Sequence, residues 1–147
     1  MTTTDISIQA LEIARTNATR HLVASQVTCL QGDLLEPFER VPTSLPVQFD
    51  LMVANLPYIP SETLKTLAVF EREPQLALDG GKDGLDVLRR YLAQAPQFLA
   101  PEGLILMEIE ANQGESALEL AQAHFPGSAI SLHSDLGGHD RLLQIQS

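Results

Sequence analysis

The stretch Asp50-Leu51-Met52-Val53-Ala54-Asn55-Leu56-Pro57-Tyr58-Ile59-Pro60 constrains this chain more than any other. Its first part is apolar at successive positions, which leaves no polar face to turn toward water. Such a run suits a strand buried on both sides inside a parallel sheet, with helices above and below. The apolar run stops at Asn55, and Pro57 holds Leu56 in extended conformations. The carboxyl end of a strand of this kind opens into the crevice where open α/β sheets bind ligands, so Asn55 and Tyr58 are candidate site residues.

Around this stretch, strand and helix patterns alternate. Thr2 to Ser7 reads as the last part of a strand running directly into a helix, with Ser7 as N-cap and Ile8, Leu11, Ala14, Ala18 and Leu22 along one apolar face. Gln26 to Gln31 forms the next strand, closed by Gly32-Asp33, and Leu34 to Pro46 carries three prolines and reads as a loop. A short helix is expected around residues 61–70, followed by a turn-rich stretch whose Gly80-Gly81 and Asp83-Gly84 pairs demand positive φ. A helical period runs through Leu85, Leu88, Leu92, Ala95 and Leu99, with Pro96 set to end or kink it. Pro101-Glu102-Gly103 turns into a strand over Leu104–Ile109, and Met52 and Met107 read as core. Asn112 and Glu115 have the spacing of a capping box for a helix that turns Leu118, Ala121 and Phe125 inward. Ala129–His133 and Leu142–Ile145 finish the chain as a closing antiparallel pair. The fold class is α/β with a mostly parallel sheet, and the length suits a single domain over residues 1–147.

Asp5, Asp33 and Asn55 each follow a strand, so the strand-end rule puts them on one rim of the sheet. Each acid also has a plainer role available: Asp5 at a helix N-terminus, Asp33 in a turn. Nine Lys and Arg against nineteen Asp and Glu give a formal charge of −10, which disfavours a nucleic-acid partner because polynucleotide affinity comes from neutralised phosphates. No apolar run reaches membrane-spanning length and the start lacks the basic and apolar regions of a secretory leader, so a cytoplasmic protein without membrane partners is expected. The single Cys29 excludes an internal disulfide and reads as a small hydrophobe in a strand. His133, Asp135, His139 and Asp140 share a glycine-containing loop but lack a third ligand set, so they read as turn and capping residues and no metal is expected. Asp79 and Asp83 likewise read as shaping the turn and capping the helix that follows.

Taken together, these residues resemble one family, the HemK/PrmC-type protein-(glutamine-N5) methyltransferases. Asn55-Leu56-Pro57-Tyr58 matches the Asn-Pro-Pro-Tyr signature of N-methylating enzymes at three of four positions. The stretches Thr4-Asp5-Ile6-Ser7, Gln31-Gly32-Asp33-Leu34-Leu35 and Asp135-Leu136-x-Gly138-x-Asp140-Arg141 resemble further family signatures. The most specific is Glu73-Pro74-x-x-Ala77-Leu78-Asp79-Gly80-Gly81-x-Asp83-Gly84-Leu85.

The resemblance implies a Rossmann-like class I methyltransferase sheet with an antiparallel last strand, and S-adenosyl-L-methionine as cofactor. It implies that Asp5, Asp33 and Asn55 bind the cofactor, with Asp5 on the ribose and Asp33 at the adenine. It assigns Asn55, Leu56, Pro57 and Tyr58 to catalysis: the Asn55 oxygen and the Leu56 carbonyl accept the amide hydrogens, and Tyr58 walls the pocket. The implied substrate is a glutamine of a peptide chain release factor. Two rival readings are an N6-adenine methyltransferase on RNA or DNA and an inactive remnant that needs a partner.

Two residues depart from the family pattern, Leu56 for the first proline and Glu110 for a glycine. The family's first strand and glycine-rich loop have no counterpart in this sequence. On the resemblance, a central strand between those ending at Asp5 and Asn55 is therefore missing. Exposed sheet edges and self-association are the expected consequences.

Overall fold

The computed structural model describes residues 1–40 and 47–147, so the expected loop over Leu34–Pro46 lies partly outside the described residues. The chain forms two compact units, Met1–Val47 and Gln48–Ser147.

The first unit is a βαβ arrangement. β1 (Thr2–Asp5) pairs in parallel with β2 (Thr28–Gln31), Thr2 opposite Thr28 and Asp5 opposite Gln31, and α1 (Ile8–Arg20) connects them. Ser7 caps α1 as expected, its hydroxyl accepting from the Ala10 amide at 3.2 Å. The helix buries Leu11 and Ala18, seven residues apart on one face, but Ile8 and Leu22 are exposed. Leu22 has left the helix. The Val23 amide donates to Ala18 and the Leu22 amide to Thr19, a Schellman closure that puts Leu22 at φ 60 with its side chain in water. Beyond β2, the expected loop contains one turn of helix, α2 (Glu36–Glu39), with Pro37 in its first turn.

The second unit carries a four-stranded sheet in the order β3-β4-β6-β5. β3 (Phe49–Asn55) and β4 (Leu99–Glu108) are parallel; β6 (Asp140–Gln146) runs antiparallel to both β4 and β5 (Ala129–Ser134). One face of this sheet supplies the core. Ile105, Met107, Leu143 and Ile145 are fully buried with Met52, beside Leu88, Tyr91 and Leu92 of α4 (Asp86–Gln94) and Ala117 and Ala121 of α5 (Gly114–His124). α5 packs on β5 and β6, and α4 packs on α5. Burial pushes the Tyr91 phenol pKa well up. Pro96 ends α4 as expected, followed by a 3-10 turn over Ala95–Gln97. The expected helix after Pro60 is present as one turn, α3 (Ser61–Leu64), and a 3-10 turn, Ala68–Glu71.

Two expectations change here. β3, expected from its apolar run to be covered on both faces, is open on one, with Leu51 55% exposed and Val53 71%; it is an edge strand, as expected where the family's first strand has no counterpart, and among the described residues β4 is its one ladder neighbour. The Met52 side is buried and the odd-numbered side is open, because no described helix of this unit covers that face. The turn expected at Pro101-Glu102-Gly103 lies inside β4 rather than before it. Register passes from Phe49 opposite Leu99 to Leu51 opposite Leu104, and Glu102 takes φ 61, so the extra residues bulge out of a continuous strand.

Candidate active site

The turn leaving β3 carries most of the candidate site. Asn55 ends the strand, opposite Glu108 in the β4 register, and is exposed. Leu56, Pro57 and Tyr58 follow, half-buried. Tyr58 is fastened at both ends. Its hydroxyl donates to the Glu108 carboxylate at 3.0 Å, and its backbone carbonyl accepts from the Gln113 side-chain amide at 2.9 Å. Partial burial raises the Tyr58 pKa, and the hydrogen bond and negative charge of Glu108 raise it further.

The next residues of the turn are sewn to the glycine-rich stretch that precedes α4. Ile59 forms a parallel bridge with Asp79: its amide donates to Leu78 at 3.0 Å, and its carbonyl accepts from Gly80 at 2.9 Å. The Ser61 amide donates to Gly81 at 2.9 Å, and the Ser61 hydroxyl to Asp79 at 2.7 Å. Asp79 also accepts from the Gly81 amide, and these hydrogen bonds hold its carboxyl below the usual range.

Gly84 adopts φ +80, and a Cβ there would strike the Tyr58 carbonyl and come within 2.5 Å of the Gln113 nitrogen. Only glycine allows this approach without strain. Asp83 accepts from the Leu85 amide at 3.1 Å and pairs with Arg89, which brings its pKa down to about 2. Asp79 and Asp83 shape the turn as expected, but neither caps the following helix, whose N-cap is Leu85 without a side-chain cap. Of the Glu73–Leu85 signature, Glu73 to Ala77 is exposed and Leu78 to Leu85 is the docked part.

Asp5 and Asp33 come together in the first unit. The parallel pairing of β1 and β2 brings their carboxyl ends side by side, with the Gly32 amide donating to the Asp5 carbonyl at 3.1 Å. Asp5 also plays its plainer role, Oδ1 accepting from the Ser7 amide at 2.8 Å. Gly32 is held against the Pro37 ring so closely that a Cβ would overlap it, which fixes the path of the turn carrying Asp33.

Two side chains that hold the turn, Glu108 and Gln113, escaped the sequence reading, and Glu110 was noted there only as a departure from the family pattern. The capping box assigned to Asn112 and Glu115 is in fact formed by Glu110 and Gln113, which head a 3-10 turn (Ala111–Gln113) before α5. The Glu110 carboxylate accepts from the Asn112 amide at 2.8 Å, and Gln113 Oε1 accepts from the Glu110 amide at 3.2 Å. The Glu-x-x-Gln spacing was legible as a box; its second hydrogen bond, to Tyr58, was not. Glu110, a departure from the family pattern, therefore has a structural role.

In the closing loop, Asp135 accepts from the Gly137 and His139 amides at 2.8 and 3.1 Å and from Arg141 at 3.2 Å, so its pKa is lowered chiefly by the His139 amide. His133 bonds to Ser131 and Gln144, and Asp140 accepts from the Ser134 hydroxyl. The Asp135 bonds close the turn, and those of His133 and Asp140 tie β5 to β6.

No family model matches the chain. Its fold is that of a class I methyltransferase: a solved methyltransferase from Pyrococcus furiosus matches with a TM-score of 0.65 at 17% identity, over 99% of this chain and 61% of that one. In sequence, the chain is 39% identical over 97% of its length to a release factor glutamine methyltransferase of Thermosynechococcus vestitus. It is 42% identical over 94% of its length to one of Moorella thermoacetica. The chain belongs to the HemK/PrmC-type protein-(glutamine-N5) methyltransferase family. It spans about half the length of these two relatives, 48% and 47% respectively.

Proposed function

We propose that residues 1–147 act as part of one catalytic domain that methylates a glutamine side-chain amide of a protein, with a peptide chain release factor as substrate and S-adenosylmethionine as methyl donor. Such a substrate puts the reaction in the cytoplasm. The observation that carries this reading is the Asn55–Tyr58 turn, which presents an exposed carboxamide at a strand end and is tied down at Tyr58 and Ile59.

An amide nitrogen is a poor nucleophile because its lone pair is delocalised into the carbonyl. In this reading the Asn55 side-chain oxygen and the Leu56 backbone carbonyl accept its two hydrogens, which orients the nitrogen for attack. Leucine provides the carbonyl as well as proline would, and Pro57 keeps residue 56 extended. Tyr58 walls the pocket. When bound, S-adenosylmethionine supplies a methyl group on a positively charged sulfur. The N–C bond forms as the C–S bond breaks with its electron pair left on sulfur, and one amide proton leaves to solvent. The two acids at the end of the β1–β2 pair have the chemistry an adenosine needs, hydroxyls meeting Asp5 and adenine meeting Asp33.

The charge of −10, with Glu108 and Glu110 beside the turn, works against the rival reading of adenine methylation in a polynucleotide. Calorimetric titration with S-adenosylmethionine tests the proposal. Saturable binding is expected, weakened roughly 10-fold or more in Asp33→Ala, in line with loss of a charged hydrogen bond. Absence of binding by the folded chain, or methyl incorporation only into adenine-containing oligonucleotides, overturns it.

The open side of β3 supports a second proposal, that the chain self-associates through this edge. Light scattering is expected to give a mass that rises with concentration and returns to the monomer value in Val53→Lys. A monomer mass for the unsubstituted chain at every concentration rejects the idea.

A further inference from the structure

Gln113 is 7% exposed, the one buried polar residue among the described residues. Burying an amide is costly unless both of its ends are bonded, and here both are: Oε1 to the Glu110 amide and Nε2 to the Tyr58 carbonyl. The two bonds do different things. The first completes the turn leading into α5, a task that uses only the acceptor. The second uses the donor to reach a residue 55 positions away in sequence. Gly84 makes room for that reach, since a Cβ at this position would press on both the Gln113 nitrogen and the Tyr58 carbonyl. The backbone from Tyr58 back to Asn55 passes through Pro57, whose ring fixes φ. That removes one of the torsions between the Leu56 and Tyr58 carbonyls, so a hold on the Tyr58 carbonyl narrows the directions open to the Leu56 carbonyl.

We propose that Gln113 is a positioning residue that fixes the Asn55–Tyr58 turn, and with it the spacing of the two acceptors, the Asn55 carboxamide and the Leu56 carbonyl. The inference rests on the methyl-transfer reading above. Glu108 restrains the ring of the same tyrosine, but a ring can swing with little change in the main chain, whereas the carbonyl hold acts on the main chain itself.

Hydrogen exchange on the whole chain tests this without requiring activity. Gln113→Met keeps the volume and loses both bonds. Gln113→Glu, when ionised, keeps the acceptor for Glu110 and loses the donor to Tyr58. Glu110→Ala removes the carboxylate cap on Asn112 while leaving the Glu110 amide for Gln113. In both Gln113 variants the amides of Leu56, Tyr58 and Ile59 are expected to exchange at least about tenfold faster, with the amides of Ile105 and Leu143 unchanged. Glu110→Ala is expected to leave Leu56, Tyr58 and Ile59 at the original rate. Equal acceleration everywhere, or acceleration in Glu110→Ala as large as in Gln113→Met, marks a merely structural role and overturns the proposal.

Where the unsubstituted chain transfers methyl to a glutamine peptide, kcat is expected to fall about tenfold or more in Gln113→Met at unchanged KM for S-adenosylmethionine. If the unsubstituted chain transfers none, the methyl-transfer reading fails for this chain, and the exchange rates still decide whether Gln113 holds the turn.

Discussion

Asn55→Ala is expected to reduce methyl transfer to a glutamine-containing peptide by about 100-fold or more while leaving the fold intact, since loss of correct alignment alone costs on this scale. The expectation follows from the proposed role of Asn55 as one of two acceptors for the substrate NH2. With Leu56 as the sole acceptor, the amide turns about its remaining hydrogen bond and the nitrogen seldom faces the methyl group. Stability is expected to change by no more than about 0.5 kcal/mol, because Asn55 is exposed at the end of an edge strand. The decisive measurement is single-turnover methyl transfer at saturating S-adenosylmethionine, accompanied by thermal denaturation of both proteins. Transfer within a few-fold of the unsubstituted rate would remove Asn55 from the mechanism. Loss of transfer together with a large drop in melting temperature would mean that the residue supports the fold.

Leu143→Ala is expected to cost about 2–5 kcal/mol of stability, the range found for deleting a buried leucine side chain where the surroundings only partly collapse. Leu143 is fully buried on β6, the strand between β4 and β5, and lies opposite Met107 on one side and Leu132 on the other. Its environment is covered by α5, so the void has rigid walls on several sides. Against a typical domain stability of about 5–15 kcal/mol, such a loss brings the second unit close to unfolding. Urea denaturation is expected to show a lower midpoint at an unchanged slope. Leu136→Ala serves as control: that side chain is fully exposed and its loss is expected to move the midpoint very little. Equal midpoints for Leu143→Ala and Leu136→Ala would mean that β6 does not lie at the centre of the core.

The sequence by itself determined the local events. Ser7 capped a helix, Pro96 ended one, and the two last strands formed their antiparallel pair because each signal acts within a few residues of itself. The Asn55–Tyr58 turn and the Asp79–Leu85 stretch were legible for the same reason, since proline and paired glycines restrict their own backbones. A box assigned to Asn112 and Glu115 instead of Glu110 and Gln113 was a shift of two residues in a pattern of the right kind.

Only the tertiary structure decided which face of β3 is open, with Leu51 and Val53 in water and Met52 buried. An apolar run reports what a strand tolerates around it, and does not report which of its faces is covered. Only the tertiary structure, too, joined Ile59 to Asp79 and the Gln113 amide to the Tyr58 carbonyl. A hydrogen bond across 55 residues depends on where two independently specified segments come to rest, and that is set by packing of the strands and helices between them, for which no short stretch of sequence carries a mark.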